Sequence, residues 1–360
     1  MCCSCVRRPW RSLPWLLFAL AALPHSAGAQ SADDRYLIRV GDRHGYIDAA
    51  GTIVIEPRFD EAGEFSEGLA AVRIGGEWGF IGIDGTLMIQ PRFEGAGAFS
   101  NGRARVSERS RWGFIDREGA YVIPPDFADV RPYTEDRAAV RDEKRLLAIL
   151  RELTWGYADL EGRVVIEPAF EEAQQFSEGL AAVRTSKTIF FIKYWTRWGY
   201  IGPDGAVVIE PQFRSVRSFS DGLALVSDGS RFSYITAEGE TAFDVNFAQA
   251  HSFLDGRARV AADGRWGYID RQGALVVELQ FEQALDFSEG LAVVRSGGKW
   301  GAIDTGGTFV IAPEFDYLRS FRGGLAGGRQ GTTSGYVDRQ GTFVWQQTVT
   351  SEADDGLEVR

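Results

Sequence analysis

Residues 78–93 read WGFIGIDGTLMIQPRF, and residues 266–281 read WGYIDRQGALVVELQF. The shared pattern is an aromatic residue, Gly, a second aromatic residue and Ile, followed by a turn of the type Asp-x-x-Gly or Asp-Gly. Copies of this pattern begin at His44, Trp78, Trp112, Trp155, Trp198, Phe232, Trp266, Trp300 and Ser334. The steps between them are 34, 34, 43, 43, 34, 34, 34 and 34 residues. A fixed period of this size indicates a repeat architecture.

Each repeat carries the signals of three short β-strands. In the second copy, Leu69 to Arg73 and Trp78 to Ile81 are separated by a Gly-Gly turn, and Thr86 to Ile89 follow an Asp-Gly turn. β-Branched and aromatic residues bounded by Gly and Asp are typical of hairpins, and a Pro then ends the third strand. The connector from Phe93 to Gly102 spaces two Phe and one Ala every three residues, which favours an irregular or helical turn.

These residues resemble the WG-repeat (KWG-type) family of bacterial proteins. Its signature is W-G-[FY]-I-D-x-x-G-x-x-V-I-x-P-x-[FY]-x-x-A-x-x-F-S-x-G-[LR]-A-x-V, which Trp78 to Val106 and Trp266 to Val294 follow closely. The resemblance covers essentially the whole chain after its N-terminal segment, and it implies an often envelope-associated repeat protein with no established common activity. The signature pairs, interpreted as structural, are Trp78-Gly79, Trp112-Gly113, Trp155-Gly156, Trp198-Gly199, Trp266-Gly267 and Trp300-Gly301.

The repeats predict an all-β array of about nine three-stranded antiparallel meander units with a period of 34 residues. Members of the family carry different repeat numbers, which favours an open, β-solenoid-like array over a ring. About 34 residues is also short for a four-stranded propeller blade. The alternative is a closed, β-propeller-like ring in which the connector supplies a fourth strand.

The N-terminus has the features of an export signal. Arg7, Arg8 and Arg11 precede the apolar run Leu13 to Leu23, and Ala27-Gly28-Ala29 forms a small-residue cleavage site. We therefore predict a signal peptide over residues 1–29 that is cleaved near Ala29, although a retained membrane anchor is the alternative. Residues 30–348 form the repeat domain, and residues 349–360 are expected to be an acidic, disordered tail.

Cleavage would change the chemistry available to the chain. All three Cys leave with residues 1–29, together with three Arg and no acidic residue, so 36 basic and 50 acidic residues remain, a formal charge of −14. A chain this acidic is a poor partner for nucleic acid, and no stable membrane insertion is expected after cleavage. The mature protein is expected in the periplasm or secreted.

No motif predicts catalysis, a metal or a cofactor. The Asp-x-x-Gly turns offer one carboxylate each, whereas calcium requires six to eight converging oxygens. His44 and His251 have no neighbouring catalytic partners in the sequence, and acidic residues at equivalent repeat positions are better explained as structural. The repeated Trp residues could stack on sugars, but a Trp beside Gly at a fixed repeat position is more often a core residue. We therefore expect a protein that is not an enzyme.

Two adjacent units each contain nine extra residues in the same hairpin. The first insertion lies within 141–154, where apolar residues at helical spacing predict a short amphipathic helix. The second lies within 184–197 and is rich in aromatic residues. If exposed together, the two loops would form an interface; the alternative is that they pack on each other as a buttress. The candidate partner-binding residues are Leu146, Ile149, Leu150, Phe190, Phe191, Tyr194, Trp195 and Arg197.

Two functional hypotheses follow from these observations. The first is an exported, non-enzymatic repeat scaffold that binds a protein partner of the cell envelope, most directly through the insertions of units four and five. The second is an envelope glycan-binding module that uses exposed repeat aromatics. A hydrolase is a third class, but no residue in the sequence can be nominated for it.

Overall fold

The computed structural model describes residues 34–147, 150–189 and 192–349, and every regular element within them is a β-strand. The strands form nine antiparallel sheets, the blades of a closed β-propeller. The prediction of an all-β protein with about nine repeat units is confirmed. The prediction of an open solenoid of three-stranded units is wrong, because the array closes and the connector contributes a fourth strand.

The fourth strand is short, which explains how a 34-residue repeat can build a four-stranded blade. In the second blade Glu61 pairs with Arg73 and Ala62 pairs with Val72, so a two-residue strand begins the blade. We call it the inner strand, followed by the second, third and outer strands of the same blade. The connector predicted as an irregular or helical turn therefore becomes the inner strand of the next blade and the turn that follows it.

The strand bounds repeat from blade to blade. Blade 1 has β1 (Tyr36–Val40), β2 (Arg43–Ile47) and β3 (Ile53–Phe59). Blade 2 has β4 (Glu61–Ala62), β5 (Leu69–Ile74), β6 (Glu77–Gly82) and β7 (Leu87–Phe93). Blade 3 has β8 (Gly95–Ser100), β9 (Arg103–Glu108), β10 (Arg111–Ile115) and β11 (Tyr121–Phe127). Blade 4 has β12 (Asp129–Val130), β13 (Ala138–Leu147), β14 (Leu150–Ala158) and β15 (Val164–Phe170). Blade 5 has β16 (Glu172–Ser177), β17 (Leu180–Ile189), β18 (Ile192–Ile201) and β19 (Val207–Phe213).

The last four blades complete the ring. Blade 6 has β20 (Ser215–Val216), β21 (Ala224–Ser227), β22 (Phe232–Ile235) and β23 (Thr241–Val245). Blade 7 has β24 (Gln249–Ala250), β25 (Ala258–Ala262), β26 (Arg265–Ile269) and β27 (Leu275–Phe281). Blade 8 has β28 (Gln283–Ala284), β29 (Leu291–Ser296), β30 (Lys299–Asp304) and β31 (Phe309–Phe315). Blade 9 has β32 (Tyr317–Leu318), β33 (Ala326–Gln330), β34 (Thr333–Val337) and β35 (Phe343–Thr348).

The core lies between neighbouring blades and repeats the same aromatic contact. The aromatic residue after the signature Gly meets an aromatic residue from the connector that leads into the next blade, with ring centroids 4.7–5.0 Å apart. Edge-on and tilted pairs at this distance stabilise beyond the area they bury. The pairs are Tyr46–Phe65, Phe80–Phe99, Phe114–Tyr133, Tyr157–Phe176, Tyr200–Phe219, Tyr234–Phe253 and Tyr268–Phe287.

The ring closes by the same kind of contact between blades 9 and 1. Tyr36 takes the place of the connector aromatic residue and its ring lies 5.6 Å from that of Tyr336. The Tyr336 hydroxyl donates a hydrogen bond to the carbonyl oxygen of Leu37 at 2.8 Å. The Tyr36 hydroxyl donates to the carbonyl oxygen of Gly323. First and last blades are thus joined through both side chains and backbone.

The signature Gly is required because the outer strand crosses very close to it. Trp78 pairs with Phe93 and Phe80 pairs with Ile89, so the outer strand carries extra residues in a bulge that contains Pro91. A Cβ atom on Gly79 would lie only 2.5 Å from the Ile89 carbonyl oxygen. Any side chain at this position would displace the outer strand, which is why Gly follows the signature aromatic residue.

Candidate functional site

The six signature Trp side chains lie between the blades rather than in an exposed row. Trp155 is 3% exposed, and the other five are half-buried. Arginine side chains cover several of the rings: Arg105 lies 5.2 Å from the centroid of Trp112, and Arg259 lies 5.5 Å from that of Trp266. A cation placed over an indole face is attracted by the ring quadrupole. Each of these contacts covers one ring face on which a sugar could otherwise stack.

The Asp-x-x-Gly segments are turns. In the first unit the Asp48 carboxylate accepts hydrogen bonds from the backbone N–H groups of Ala50 and Thr52, and Gly51 has a φ of 82°. The same bonding recurs at Asp116, Asp270 and Asp338. Among the described residues no group of three or more His, Cys, Asp or Glu side chains could hold a metal ion.

The two insertions extend hairpins, and the helix predicted within 141–154 is wrong. β13 and β14 are paired from Ala138↔Ala158 to Leu147↔Leu150, and β17 and β18 from Ala181↔Ile201 to Ile189↔Ile192. The apolar spacing fits a helix, but strands already paired at the root of the hairpin continue their ladder outward. Both hairpins leave neighbouring blades on the same face of the propeller, which we call the hairpin face.

Nine extra residues cannot be divided equally between two strands, so each hairpin contains a bulge. In blade 4 the register shifts between Arg145 and Leu147 on β13. In blade 5 it shifts where Lys187 pairs with Trp195 and Thr188 pairs with Lys193, which puts the extra residue on β18. A bulge bends its strand and increases the local twist. The blade 4 hairpin is therefore bent at its first strand, β13, whereas the blade 5 hairpin is bent at its second strand, β18.

The structure describes only part of the predicted partner-binding set. Trp195 and Arg197 are half-buried, and the Arg197 guanidinium lies 5.4 Å from the Trp195 ring centroid. For the other six members the side chains, or in three cases the whole residues, fall outside the described part of the chain. Those with described backbone only are Leu146, Leu150 and Tyr194, and those wholly outside are Ile149, Phe190 and Phe191.

The roots of the two hairpins are tied together by charged residues that sequence reasoning missed. Glu172 of blade 5 approaches Arg131 of blade 4 at 3.8 Å and Arg184 of its own blade at 3.6 Å. Arg131 also lies 5.0 Å from the Trp155 ring centroid, and Arg184 lies 5.6 Å from that of Trp198. The position of Arg184 is also Arg in other repeats, as at Arg73 and Arg295, so no sequence signal set it apart. The contacts of Glu172 place one carboxylate between the bases of the two hairpins.

A ring of acidic turns surrounds the axis on the opposite face. In six blades a carboxylate accepts a hydrogen bond from the backbone N–H of a Gly in the corresponding turn of the next blade, at 2.7–2.9 Å. Each acidic residue has a φ between 48° and 55°, a conformation that normally favours Gly. They are Glu67, Glu135, Glu178, Asp221, Asp255 and Glu289.

The ring of turns is interrupted where the propeller closes, and a cleft of about 440 Å³ lies there. It is bordered by residues of blades 9, 1 and 2, among them Arg322, Tyr36 and Glu64. Burial raises the pKa of the Glu64 carboxyl above its ordinary value, and Arg322 and Arg319 partly oppose this effect. Burial, with Asp34 nearby, also raises the pKa of Tyr36 to about 12.

Each of the two histidines contacts a neighbouring residue. His44 contacts the carbonyl oxygen of Asp60 at 3.1 Å, and His251 contacts Arg259 at 3.0 Å. Burial lowers the pKa of both rings, and Arg259 adds to this effect at His251. Across residues 34–147, 150–189 and 192–349, no helical stretch has the length and apolar character that a membrane span requires.

The fold, the repeated Trp-Gly pairs and the closing tyrosines define a repeat β-propeller. The pattern of the family described as WG containing repeat matches residues 45–78, 78–111, 112–145, 155–187, 198–231, 266–300 and 300–331. The chain therefore belongs to the WG-repeat family, as the sequence resemblance indicated.

Comparisons with individual proteins give only distant similarities. No curated protein matches the chain. Among solved structures, AztD from Citrobacter koseri is similar at 13% identity and a TM-score of 0.43, over 76% of this chain and 92% of that one. The dihydro-heme d1 dehydrogenase NirN is similar at 13% identity and a TM-score of 0.41, over 92% of this chain and 76% of that one. Kluyveromyces lactis Hsv2 is similar at 9% identity and a TM-score of 0.38, over 69% of this chain and 94% of that one.

Proposed function

We propose that this WG-repeat propeller is an exported, non-enzymatic scaffold that binds a protein partner of the cell envelope through the paired hairpins of blades 4 and 5. The supporting observation is that β13–β14 and β17–β18 are each nine residues longer than the hairpins of the other repeats and leave adjacent blades on one face. Insertions that share one face of a repeat protein are commonly the part that binds.

The geometry at the root of the hairpins supports this proposal. Glu172 bridges Arg131 and Arg184, and these two Arg cover Trp155 and Trp198. A binding element that is held rigidly at its base loses less conformational entropy on association than a free loop. Trp195 beside Arg197 is the kind of pair that dominates protein interfaces, where Trp and Arg are enriched.

The test is a crosslinking pull-down from envelope extract with the full-length protein and a trimmed variant. In the trimmed variant, residues 142–154 and 185–197 are each replaced by the four residues Ile74 to Glu77 of blade 2, which restores the 34-residue period. A partner captured by the full protein and lost from the trimmed one supports the proposal. The partner, once identified, should bind the full protein directly when both are purified.

Two controls make the result specific. The double variant Trp195→Ser with Arg197→Ser keeps the hairpin length and should weaken binding without changing the thermal unfolding temperature. The same four-residue replacement in blade 8, where Gly297-Gly298 already form a short turn, should leave capture unchanged. An identical list of captured proteins for the full and trimmed chains would refute the role of the hairpins.

Glycan binding by the signature aromatics has less support. None of the six signature Trp is exposed, and arginine side chains cover several rings. If the glycan hypothesis were correct, both the full and the trimmed protein would bind envelope polysaccharide equally, and acrylamide would quench the Trp fluorescence efficiently.

A further inference from the structure

Blade 6 departs from the other blades at the signature pair, where Phe232-Ser233 replace Trp-Gly, and the other eight blades all keep the Gly. In the six blades with a Trp-Gly pair, the pairing of the third and outer strands shifts register at this point. In blade 6 Phe232 pairs with Val245 and Ser233 with Asp244, and the Ser233 hydroxyl donates to the Asp244 carboxylate at 2.8 Å. Blade 6 therefore presents a smaller ring and a more regular outer strand than the blades with Trp.

A cleft of about 370 Å³ lies between blades 6 and 7 beside this smaller ring. Blade 6 contributes Phe232, Leu225 and Arg217 to its lining, and blade 7 contributes Gln249 and His251. We call it the blade 6–7 cleft. Its volume is within the range of roughly 300–1,000 Å³ that is typical of sites for small molecules.

Arg217 occupies the position in blade 6 that Arg131 has in blade 4. Each follows a two-residue inner strand, and each donates from its backbone N–H to the second strand at 2.8 Å. The Arg131 guanidinium lies 5.0 Å from the ring centroid of Trp155, and Arg131 is half-buried. In blade 6 the corresponding ring is the smaller Phe232, and Arg217 is exposed. Arg217 therefore lacks the indole surface that the equivalent arginine covers.

The counter-ion of this arginine is also replaced. Glu172, the first residue of β16, approaches Arg131 at 3.8 Å. The first residue of β24 is the uncharged Gln249, which lies in the blade 6–7 cleft with Arg217. Among the described residues that line the cleft none is acidic, although the whole chain has 50 acidic and 39 basic residues. The cleft thus keeps the arginine but has neither the indole nor the carboxylate that Arg131 contacts.

His251 adds a neutral hydrogen-bond donor to the lining. The Arg259 guanidinium lies 3.0 Å from His251 Nδ1, and because a guanidinium has only donors, Nδ1 accepts and the proton is on Nε2. Burial lowers the pKa of the ring, and Arg259 adds to this effect, so the ring is neutral at pH 7. Asp286 lies 2.7 Å from Arg259 and balances its charge. Arg217 is therefore the charged group that the cleft offers to a ligand.

We propose that the blade 6–7 cleft binds a small organic anion that carries an aromatic ring and a carboxylate. The ring of the ligand lies beside Phe232 and under the Arg217 guanidinium, an arrangement that a cation and an aromatic face favour. Its carboxylate accepts charge-assisted hydrogen bonds from Arg217, as Glu172 attracts Arg131. The ligand thus supplies both groups that the chain provides between blades 4 and 5. This site is separate from the paired hairpins and does not depend on the function proposed for them.

Isothermal titration calorimetry of the full chain with benzoate, phenylacetate and indole-3-acetate tests the proposal. The amide of the best ligand keeps the ring but has no charge, and it should bind more weakly by a factor of about ten or more. Arg217→Gln should cause a similar loss of affinity for the acid and, because Arg217 is exposed, should leave the thermal unfolding temperature unchanged. Equal affinity for acid and amide, or no binding of any of the three acids at millimolar concentration, would overturn the proposal.

Two variants restore the residues of the blade 4–5 contact and should each abolish binding. Phe232→Trp fills the cleft with an indole, and Gln249→Glu gives Arg217 an internal counter-ion. Gln340→Glu makes the same change of charge on an exposed turn of blade 9 and should leave the affinity unchanged. Binding that survives both restoring variants would show that the ligand lies elsewhere and would refute the site.

The chain with both hairpins trimmed separates this site from the proposed partner-binding site. It should bind the aromatic acid with the affinity of the full chain, whatever the outcome of the pull-down. Loss of binding from a folded trimmed chain would contradict the assignment to blades 6 and 7.

Discussion

The hydroxyl of Tyr336 donates a hydrogen bond to the carbonyl oxygen of Leu37, and the two residues are 299 positions apart in the sequence. This bond, with the contact between the rings of Tyr336 and Tyr36, makes the ninth repeat the neighbour of the first. The closure therefore uses the same type of contact that joins the interior blades: an aromatic pair, with a tyrosine hydroxyl that donates to a backbone carbonyl.

The contribution of the hydrogen bond between Tyr336 and Leu37 to stability can be tested by removing the tyrosine hydroxyl. Tyr336→Phe keeps the ring but loses the bond to Leu37, and it should lower the free energy of unfolding by about 1 kcal/mol. Tyr268→Phe is the matched control, since Tyr268 donates to Leu285 at 2.7 Å in an interior interface. Urea unfolding of both variants should give similar losses. An open array would make Tyr336→Phe silent while Tyr268→Phe remained costly.

The signature Gly should tolerate no side chain. A Cβ atom on Gly301 would lie 2.4 Å from the Ile311 carbonyl oxygen, so Gly301→Ala should cost about 1–3 kcal/mol of stability through backbone displacement. A Cβ atom on Gly306 in the same blade would meet only an aspartate side-chain oxygen, at 3.4 Å. Gly306→Ala should change the unfolding temperature little. Similar melting temperatures for the two variants would contradict the close crossing of the outer strand.

The half-buried Glu64, whose carboxyl is partly desolvated, should make stability depend on pH. Burial raises its pKa, although Arg322 and Arg319 oppose this, so the folded chain holds the proton more strongly than the unfolded chain. Stability attributable to this group therefore falls as pH rises from the unfolded pKa of about 4.3 toward the folded value. Glu64→Gln should unfold at a higher temperature than the native chain at pH 7, and the advantage should disappear below about pH 4.

Asp228 provides a control of opposite sign for that experiment. Its side-chain bond from Ser230, with backbone N–H donors, lowers its pKa to about 2. The carboxylate therefore contributes stability above its unfolded pKa, and the contribution is lost as pH falls toward 2. Asp228→Asn should be less stable than the native chain at pH 7, with the difference shrinking in acid. The same pH trend for Asp228→Asn and Glu64→Gln would refute one of the two assignments, namely the one whose predicted sign is not observed.

The ring of acidic turns predicts an unusual order of stability for three variants of Asp221. This residue has a φ of 54° and its carboxylate accepts the N–H of Gly256 at 2.7 Å. Asp221→Asn keeps an acceptor and tolerates this conformation, whereas Asp221→Ala loses the bond and retains the strain, at a cost of about 1–2 kcal/mol. Asp221→Gly loses the bond but relieves the strain and should lie between them. Thermal unfolding gives the order directly.

The predicted export signal is tested by sequencing the N-terminus of the protein recovered from a cell fraction outside the cytoplasm. Cleavage near Ala29 should produce a chain that begins at Gln30. An Ala29→Leu change would remove the small residue that signal peptidase requires and should leave a longer protein attached to the membrane. Recovery of the native chain in the cytoplasm with residues 1–29 intact would refute export.

The turns and strands that depend only on residues of one repeat could be predicted from the sequence. The Asp48 turn, the Trp-Gly strand and the strand after it depend on local residues, so their pattern indicates them directly. The inner strand could not be predicted as easily, because Glu61-Ala62 are only two residues long and pair with Val72 and Arg73 beyond a turn. Whether the array closes depends on the angle between blades, which is set by packing such as that of Tyr46 on Phe65.

The hairpin insertions show why a periodic pattern can mislead. Four apolar residues between 146 and 153 satisfy helical spacing, yet β13 and β14 are strands. Arg141 already pairs with Trp155 at the base of the hairpin. Extending the two strands therefore adds backbone hydrogen bonds and needs no separate nucleation step. A helix would have had to nucleate separately, which is unfavourable for a short segment.

The closed ring has a consequence for how such a protein can change over evolutionary time. Duplicating or deleting one 34-residue unit would alter the angle at every interface, because the blades share one full rotation and each packs on its neighbours. Lengthening a hairpin alters no interface, as the intact aromatic pairs Tyr157–Phe176 and Tyr200–Phe219 beside the two insertions show. Hairpins on one face of the molecule can therefore lengthen without disturbing the packing between the blades.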